Sequence, residues 1–215
     1  GLGDVYKRQQ HVKESFLLHQ YPENRIFVNP YGVDLSMFKP LPNIPKKYDV
    51  IMVGGWGYEK GCDLIVEAIR KTNYSFIHVG SIKDVDFPQE KNFTHIDPVD
   101  QSKLIEYYNQ AKVFILPSRQ DGFGMVLSQA LACNLPIIGS NNCGAPDLKK
   151  MVELPEYITI IKDYTADAIV TAIHTAIKNY EQLGERIYAG NAIENLTWEA
   201  YGKRYANFLH KIIKQ

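Results

Sequence analysis

AKVFILPSRQDGFGMVLSQALACNLPIIGS, residues Ala111 to Ser140, is the stretch whose reading decides the fold class. Lys112 to Leu116 is a short apolar run stopped by Pro117, which reads as a strand. Gly124 to Cys133 is apolar almost all round, the mark of a central buried helix. Leu135 to Gly139 is a second strand. A glycine pair, Gly122 and Gly124, opens the loop between the first strand and the helix. Strand, glycine loop, buried helix and strand in this order form one unit of a parallel α/β sheet.

The same alternation continues on both sides. Upstream, Asp49 to Val53 is a compact apolar run ending at Gly54-Gly55, and its composition suits a strand buried on both faces. Gly61 to Arg70 places Leu64, Ile65, Ala68 and Ile69 at helical spacing. Ser75 to Gly80 and Asn92 to Ile96 read as strands, and Gln101 to Gln110 as a helix with Leu104, Ile105 and Tyr108 on one face. Downstream, Tyr157 to Ile161 reads as the last strand. Helices follow near Ala166–Tyr180 and Trp198–Ile213, with a shorter one near Glu185–Gly190. Before the sheet, His11–His19 reads as a short helix and Arg25–Val28 as a short strand. The Pro- and Asn-rich segment to Pro45 reads as a linker. In such sheets ligands sit beyond the carboxyl ends of the strands. The loops after Val53, Val79, Ile96, Leu116 and Ile138 are therefore the candidate site.

Composition narrows the function. The 215 residues carry 24 Lys plus Arg against 24 Asp plus Glu, a formal charge of zero that argues against a general nucleic-acid binder. The cysteines Cys62, Cys133 and Cys143 form no CxxC pair and have no HExxH or His-x-His companion, so neither a zinc site nor a disulfide framework is expected. Unpaired cysteines fit a reducing cytoplasm. No apolar run approaches the roughly 20 residues of a membrane span. Gly1 to Gln9 (GLGDVYKRQ) has no periodicity and resembles a translated sequencing or cloning adaptor. As an adaptor-derived segment it carries no weight in the fold reading, and the natural gene is then expected to extend further upstream.

Three loops carry candidate chemistry. In Gly54-Gly55-Trp56-Gly57-Tyr58-Glu59-Lys60-Gly61, small residues let the backbone approach a ligand. A helix starting near Lys60 would point free N–H groups at the same space, which suits a phosphate met also by the Lys60 ammonium. The P-loop order Gly-Lys-Ser/Thr is absent, as is the third glycine of GxGxxG. A glycine-rich βα turn with a solvated lysine fits these residues too. In Pro117 to Gly124, backbone N–H groups near Phe123 and Gly124 would face an anion or a sugar. Gln129 lies eight residues beyond Asp121, roughly 12 Å if helical rise applied throughout, so the two could contact opposite ends of an extended ligand. Equally, Asp121 could cap the helix and Gln129 bond a neighbouring backbone group. In Ser140 to Asp147, Asn and Gly favour a tight turn and Pro146 could begin a helix.

In order and spacing these segments resemble glycosyltransferase family 4, whose members are retaining GT-B enzymes. Arg25–Pro40 (RIFVNPYGVDLSMFKP) is similar to the family segment leading into its second domain. Val53–Ala68, Ala111–Ser140, Asn142–Leu148 and the Leu196-Thr197-Trp198-Glu199 tail match further family blocks. The resemblance implies a Rossmann-like doubly wound parallel sheet, the C-terminal domain of a GT-B fold. It divides the chain into 1–9 (adaptor-like), 10–45 (end of a truncated N-terminal domain and linker), 46–196 (nucleotide-sugar-binding domain) and 197–215 (crossover helix). Gly54, Gly55, Lys60, Val99, Asp121, Gly122, Phe123, Gly124 and Gln129 are the implied donor-binding positions. Lys60 would hold the pyrophosphate, Asp121 the sugar hydroxyls, Gln129 the ribose, and the Asp97-Pro98-Val99 loop the base; Lys60 and Asp121 are the implied catalytic pair. Neither a metal nor a cofactor is implied. The substrate is a nucleotide sugar, and the acceptor a glycan, lipid-linked or small molecule met through a missing N-terminal domain. Location is implied to be cytoplasmic, with room for peripheral association at the inner membrane face. The chain alone would bind donor and transfer little.

Departures from the family pattern bear on this. The family's paired glutamates are Asp121 and Gln129 here. Its arginine five residues before the lysine is Gly55, so one of two cationic phosphate contacts is missing unless Arg119 or another residue supplies it. Its glycine after the buried helix is Asn134, which tolerates the same left-handed geometry, and a second loop glycine is Ala145. Two other readings remain: a non-catalytic nucleotide-sugar-binding module, and a GT-B-type sugar-nucleotide epimerase, for which His78 and His95 are the histidines near strand ends. The Trp198–Ile213 face with Tyr201, Tyr205, Phe208, Leu209 and Ile212 is expected to be partly exposed.

Overall fold

A computed structural model of the protein describes residues 5–7, 10–183 and 190–213. A six-stranded, fully parallel sheet forms its centre: β3 (Tyr48–Val53), β4 (Phe76–Val79), β5 (Phe93–Ile96), β6 (Ala111–Leu116), β7 (Ile137–Ser140) and β8 (Ile158–Ile161). Two further strands, β1 (Val5–Lys7) and β2 (Ile26–Val28), pair with each other in a separate parallel ribbon. Val5–Lys7 of the adaptor-like segment supplies the β1 edge of that ribbon.

The large sheet runs β5-β4-β3-β6-β7-β8. The chain enters at β3, builds outward through β4 and β5, then returns to the other side of β3 for β6, β7 and β8. The winding direction reverses between β3 and β6, and the loops leaving those two strands meet there. This is the switch point at which doubly wound sheets bind ligands.

The apolar runs explain the sheet. Every residue of β4 and β7 is buried, as are the last four of β3 and β6, because helices cover both faces. The described α-helices are α1 (Gln10–Leu18), α2 (Cys62–Lys71), α3 (Gln101–Asn109), α4 (Met125–Ala132), α5 (Ala145–Lys149), α6 (Ala166–Leu183) and α7 (Trp198–Ile213), joined by short 3-10 segments. α2 and α6 pack on each other over one face, and α3, α4 and α5 pack against β6, β7 and β8; the reversal of winding direction places the two sets on opposite faces when crossovers are right-handed. α4 buries Leu127 through Ala132, as its all-round apolarity requires. It ends at Asn134 with φ of 64°, the left-handed conformation expected there. The helix expected near Glu185–Gly190 falls largely on residues 184–189, outside the described residues; a 3-10 segment occupies Gly190–Leu196.

α7 returns to the linker. Arg204 donates to the Asn29 side chain at 2.7 Å and to the Pro30 carbonyl at 3.0 Å, and Phe208 stacks on Phe27 at 4.2 Å between centroids. Tyr31 packs against Trp198 and Tyr201. The apolar face is only partly covered: Tyr205 and Leu209 are each 39% exposed. Among the described residues no helix is long and apolar enough to cross a membrane.

Candidate functional site at the sheet switch point

Two loops leave the sheet side by side at the switch point. The first, after β3, holds Gly54 to Gly61. Gly61 has φ of 73° and lies so close to the Pro117 carbonyl of the second loop that a Cβ would collide with it. That forced left-handed residue ends a 3-10 turn, Tyr58–Lys60, and α2 begins only at Cys62. The helix read at Gly61–Arg70 is thus present, starting two residues past Lys60. The N–H groups of Lys60 and Cys62 both donate to the Gly57 carbonyl, and that of Gly61 to the Tyr58 carbonyl. These amides are spent inside the loop.

The second loop, after β6, holds Pro117 to Gly124. The Asp121 N–H donates to the Asn142 carbonyl at 3.1 Å, and the Asn142 side chain donates to the Arg119 carbonyl at 2.9 Å. Ser140 and Tyr164 both donate to the Ser118 carbonyl. The loop after β7 therefore braces this one from beneath. Gly124, with φ of 66°, precedes α4 without any side-chain cap, so Asp121 is not the helix cap.

Instead, Asp121 reaches across the switch point. The Lys60 ammonium donates to Asp121 Oδ2 at 2.7 Å, with 21% and 11% of the two side chains exposed. The Phe123 N–H donates to the other carboxylate oxygen at 3.3 Å. The two residues named from separate motifs thus form one charged pair largely sheltered from solvent, where charges interact more strongly than in open water. Gly122 is exposed and faces open space. Phe123 is buried, edge-on to Tyr31 of the linker.

Gln129 lies deeper. The buried Tyr108 hydroxyl donates to its Oε1 at 3.0 Å, so its partner is a side chain from α3 rather than a backbone group. Gln129 also lines a cavity with Gly32, Asp34, Phe38, Gln101 and Met125. Helical rise applies only from Met125 onward, so the roughly 12 Å span between Asp121 and Gln129 does not follow from a continuous helix. Val99 lies on the loop between β5 and α3, packed against the core at the same edge of the sheet. Neighbouring Gln101 is the residue of that region that lines the Gln129 cavity.

Other candidates take structural roles. Arg119 is committed to Asp63 through two bonds of 2.6 and 2.8 Å, donates to the Tyr58 carbonyl and lies 3.7 Å over the Tyr58 ring. It clamps the two loops together and is not positioned as a spare cation. His78 is fully buried against Trp56, and its Nε2 donates to the Gly54 carbonyl at 2.8 Å. Burial pushes its pKa down to about 4, so near neutral pH it is uncharged and its Nδ1 accepts from Nδ1 of His95 at 3.0 Å. The cysteines are buried; burial pushes Cys62 and Cys133 up to about 12 and Cys143 up to about 11, which leaves them as inert thiols. Among the described residues no cluster of three or more His, Cys, Asp or Glu is placed to hold a metal. Reading single motifs missed Asp63 and Tyr108, because nothing local in the chain announces a partner that arrives from another βα unit.

Comparison with known proteins agrees with this architecture. A family model described as glycosyl transferases group 1 matches residues 35–192. A probable sucrose-phosphate synthase from Thermosipho melanesiensis is 25% identical over 96% of this chain, and the match spans 54% of that relative's length. Anabaena HepE, solved in complex with UDP, superposes with a TM-score of 0.78 at 15% identity, covering 96% of this chain and 63% of that one. The C-terminal domain of a group 1 family glycosyl transferase from Francisella tularensis superposes with a TM-score of 0.62 at 21% identity, covering 76% of this chain and 95% of that domain. The likeness in structure is one of fold, the Rossmann-like C-terminal domain of GT-B proteins. With its family model spanning most of its length, this chain belongs to the glycosyl transferases group 1 family.

Proposed function

We propose that this chain is the donor-binding half of a retaining glycosyltransferase and takes a nucleotide sugar at the switch point between β3 and β6. The observation that carries this reading is the Lys60–Asp121 pair. Residues 61 positions apart meet at 2.7 Å, joining the glycine-rich loop to the loop that opens α4. A cation beside a carboxylate is suited to a ligand with a phosphate at one end and sugar hydroxyls at the other. Lys60 would exchange Asp121 for the diphosphate, and Asp121 would turn to accept from sugar hydroxyls. The Gln129 cavity would take the nucleoside end. That Anabaena HepE has been solved with UDP-glucose supports a sugar nucleotide as the class of ligand.

In the intact protein the bond between the anomeric carbon and the diphosphate oxygen breaks. A bond to an acceptor hydroxyl forms on the same face, and the departing phosphate receives the hydroxyl proton. Lys60 would stabilise the charge that grows on the leaving oxygen. No residue of the cleft stands as a covalent nucleophile in this scheme, and it calls for no metal. The acceptor, a glycan, lipid-linked or small molecule, would be held by a separate domain, so this chain alone would bind donor and transfer little.

The test is calorimetric titration with UDP, GDP and ADP, repeated on Lys60→Ala. One of the three is expected to bind, and loss of the charged contact is expected to weaken it by about ten- to a hundredfold. A folded sample that binds none at millimolar concentration, or binds equally well without Lys60, overturns the reading.

A further inference from the structure

The loop after β4 lies directly over the Gly54–Gly61 loop. The Trp56 N–H donates to the Ser81 carbonyl at 2.7 Å, and the Lys83 N–H donates to the Trp56 carbonyl at 2.9 Å. The Tyr58 N–H donates to the Asp84 carboxylate at 2.8 Å. Together these bonds hold the backbone of Lys83 beside the glycines. Its side chain then runs across Gly55: a Cβ at that position would stand 2.5 Å from Lys83 Cε and 3.3 Å from its ammonium. Any residue larger than glycine at position 55 would therefore displace the lysine.

The cations touching this loop differ in how they are engaged. The Lys60 ammonium is 2.7 Å from Asp121 and 3.8 Å from Glu59. The guanidinium of Arg119 is held by Asp63. Lys83 is exposed and, among the described residues, its ammonium has neither an ion pair nor a side-chain hydrogen bond. A diphosphate brings at least two negative charges, and Lys60 must give up Asp121 to meet one of them. The available positive charge at the mouth of the glycine loop is that of Lys83.

We propose that Lys83 is a second diphosphate-binding cation of the donor site, admitted over the loop by the bare Gly55. It acts as a point charge on the phosphates beside Lys60. The inference rests on the donor-site reading above.

The experiment uses the full chain and the nucleoside diphosphate, of UDP, GDP and ADP, that binds it most tightly, with the matching phosphate-free nucleoside as the second probe. Lys83→Met is expected to weaken the diphosphate by about tenfold, the scale of one charge-assisted contact, and to leave the nucleoside unchanged. Lys83→Arg should retain most of the affinity. Gly55→Ala should weaken the diphosphate in the same direction, by pushing the lysine aside. The wild-type affinity should also fall more steeply with added salt than that of Lys83→Met. If Lys83→Met matches the wild type while Lys60→Ala loses binding, the role of Lys83 is refuted and the donor site stands. Equal loss for diphosphate and nucleoside would assign Lys83 to holding the loop and also refutes it. If the folded wild type binds no nucleotide, both readings fall together.

Discussion

Acid should loosen this protein through one histidine in its core. His78 has no exposed surface, donates from Nε2 to the Gly54 carbonyl and sits against Trp56. Its pKa is about 4 because burial penalises the charged ring, while an unfolded histidine titrates near 6.5. A lowered folded value means that the unfolded chain binds the extra proton, so stability rises with pH across the window between the two values. The contribution is fully present above about pH 6.5 and is lost as pH falls toward 4. Linkage over that gap amounts to about 2 kcal/mol by pH 5 and about 3 kcal/mol by pH 4. The perturbation is His78→Gln, which keeps a donor for Gly54 but cannot titrate in this range. Urea unfolding of both proteins at pH 7, 6, 5 and 4 measures the effect. The wild type is expected to lose stability relative to the variant by about that amount as pH falls, whatever their offset at pH 7. A difference that stays constant across the series would refute the reasoning and show that His78 reaches water or takes up its proton without unfolding.

Two further substitutions test how the site is built. Gly61→Ala should destabilise the chain by about 2 kcal/mol, because position 61 needs a left-handed φ and its new methyl meets the Pro117 carbonyl; thermal unfolding should move down by about 4–8 °C, and an unchanged midpoint would mean the two loops are not pressed together there. Tyr108→Phe should cost about 1–2 kcal/mol by leaving the buried Gln129 oxygen without its donor. Combined with Gln129→Met it should cost less than the sum of the single changes, and strict additivity in that double-mutant cycle would count against the bond.

Much of the architecture could be read from one dimension. Strand composition and helical spacing are local properties, and burial on both faces leaves its mark as unbroken apolar runs such as VIMV at 50–53 and VFIL at 113–116. The buried character of α4 was legible for the same reason, whereas the left-handed Asn134 was implied by the family pattern, which has glycine there. Lys60, Asp121 and Gln129 stood out as polar residues in glycine-rich or apolar surroundings.

Which partner each of them takes was a different matter. In a parallel sheet the ends of β3, β4 and β6 lie side by side although whole crossovers separate them in the chain, so spacing along the sequence carries no information about those contacts. Only the folded chain joined Lys60 to Asp121, gave Arg119 to Asp63 and tied Gln129 to Tyr108. It also moved the start of α2 past Lys60, since the close approach of Pro117 forces Gly61 out of helical geometry. The sequence by itself determined the α/β class, the position of the buried helix and the loops where polar groups collect, because hydrophobic periodicity is written residue by residue. The tertiary structure alone decided which charges are paired and that Lys83 lies across Gly55, because those depend on distances between loops that no stretch of chain encodes locally.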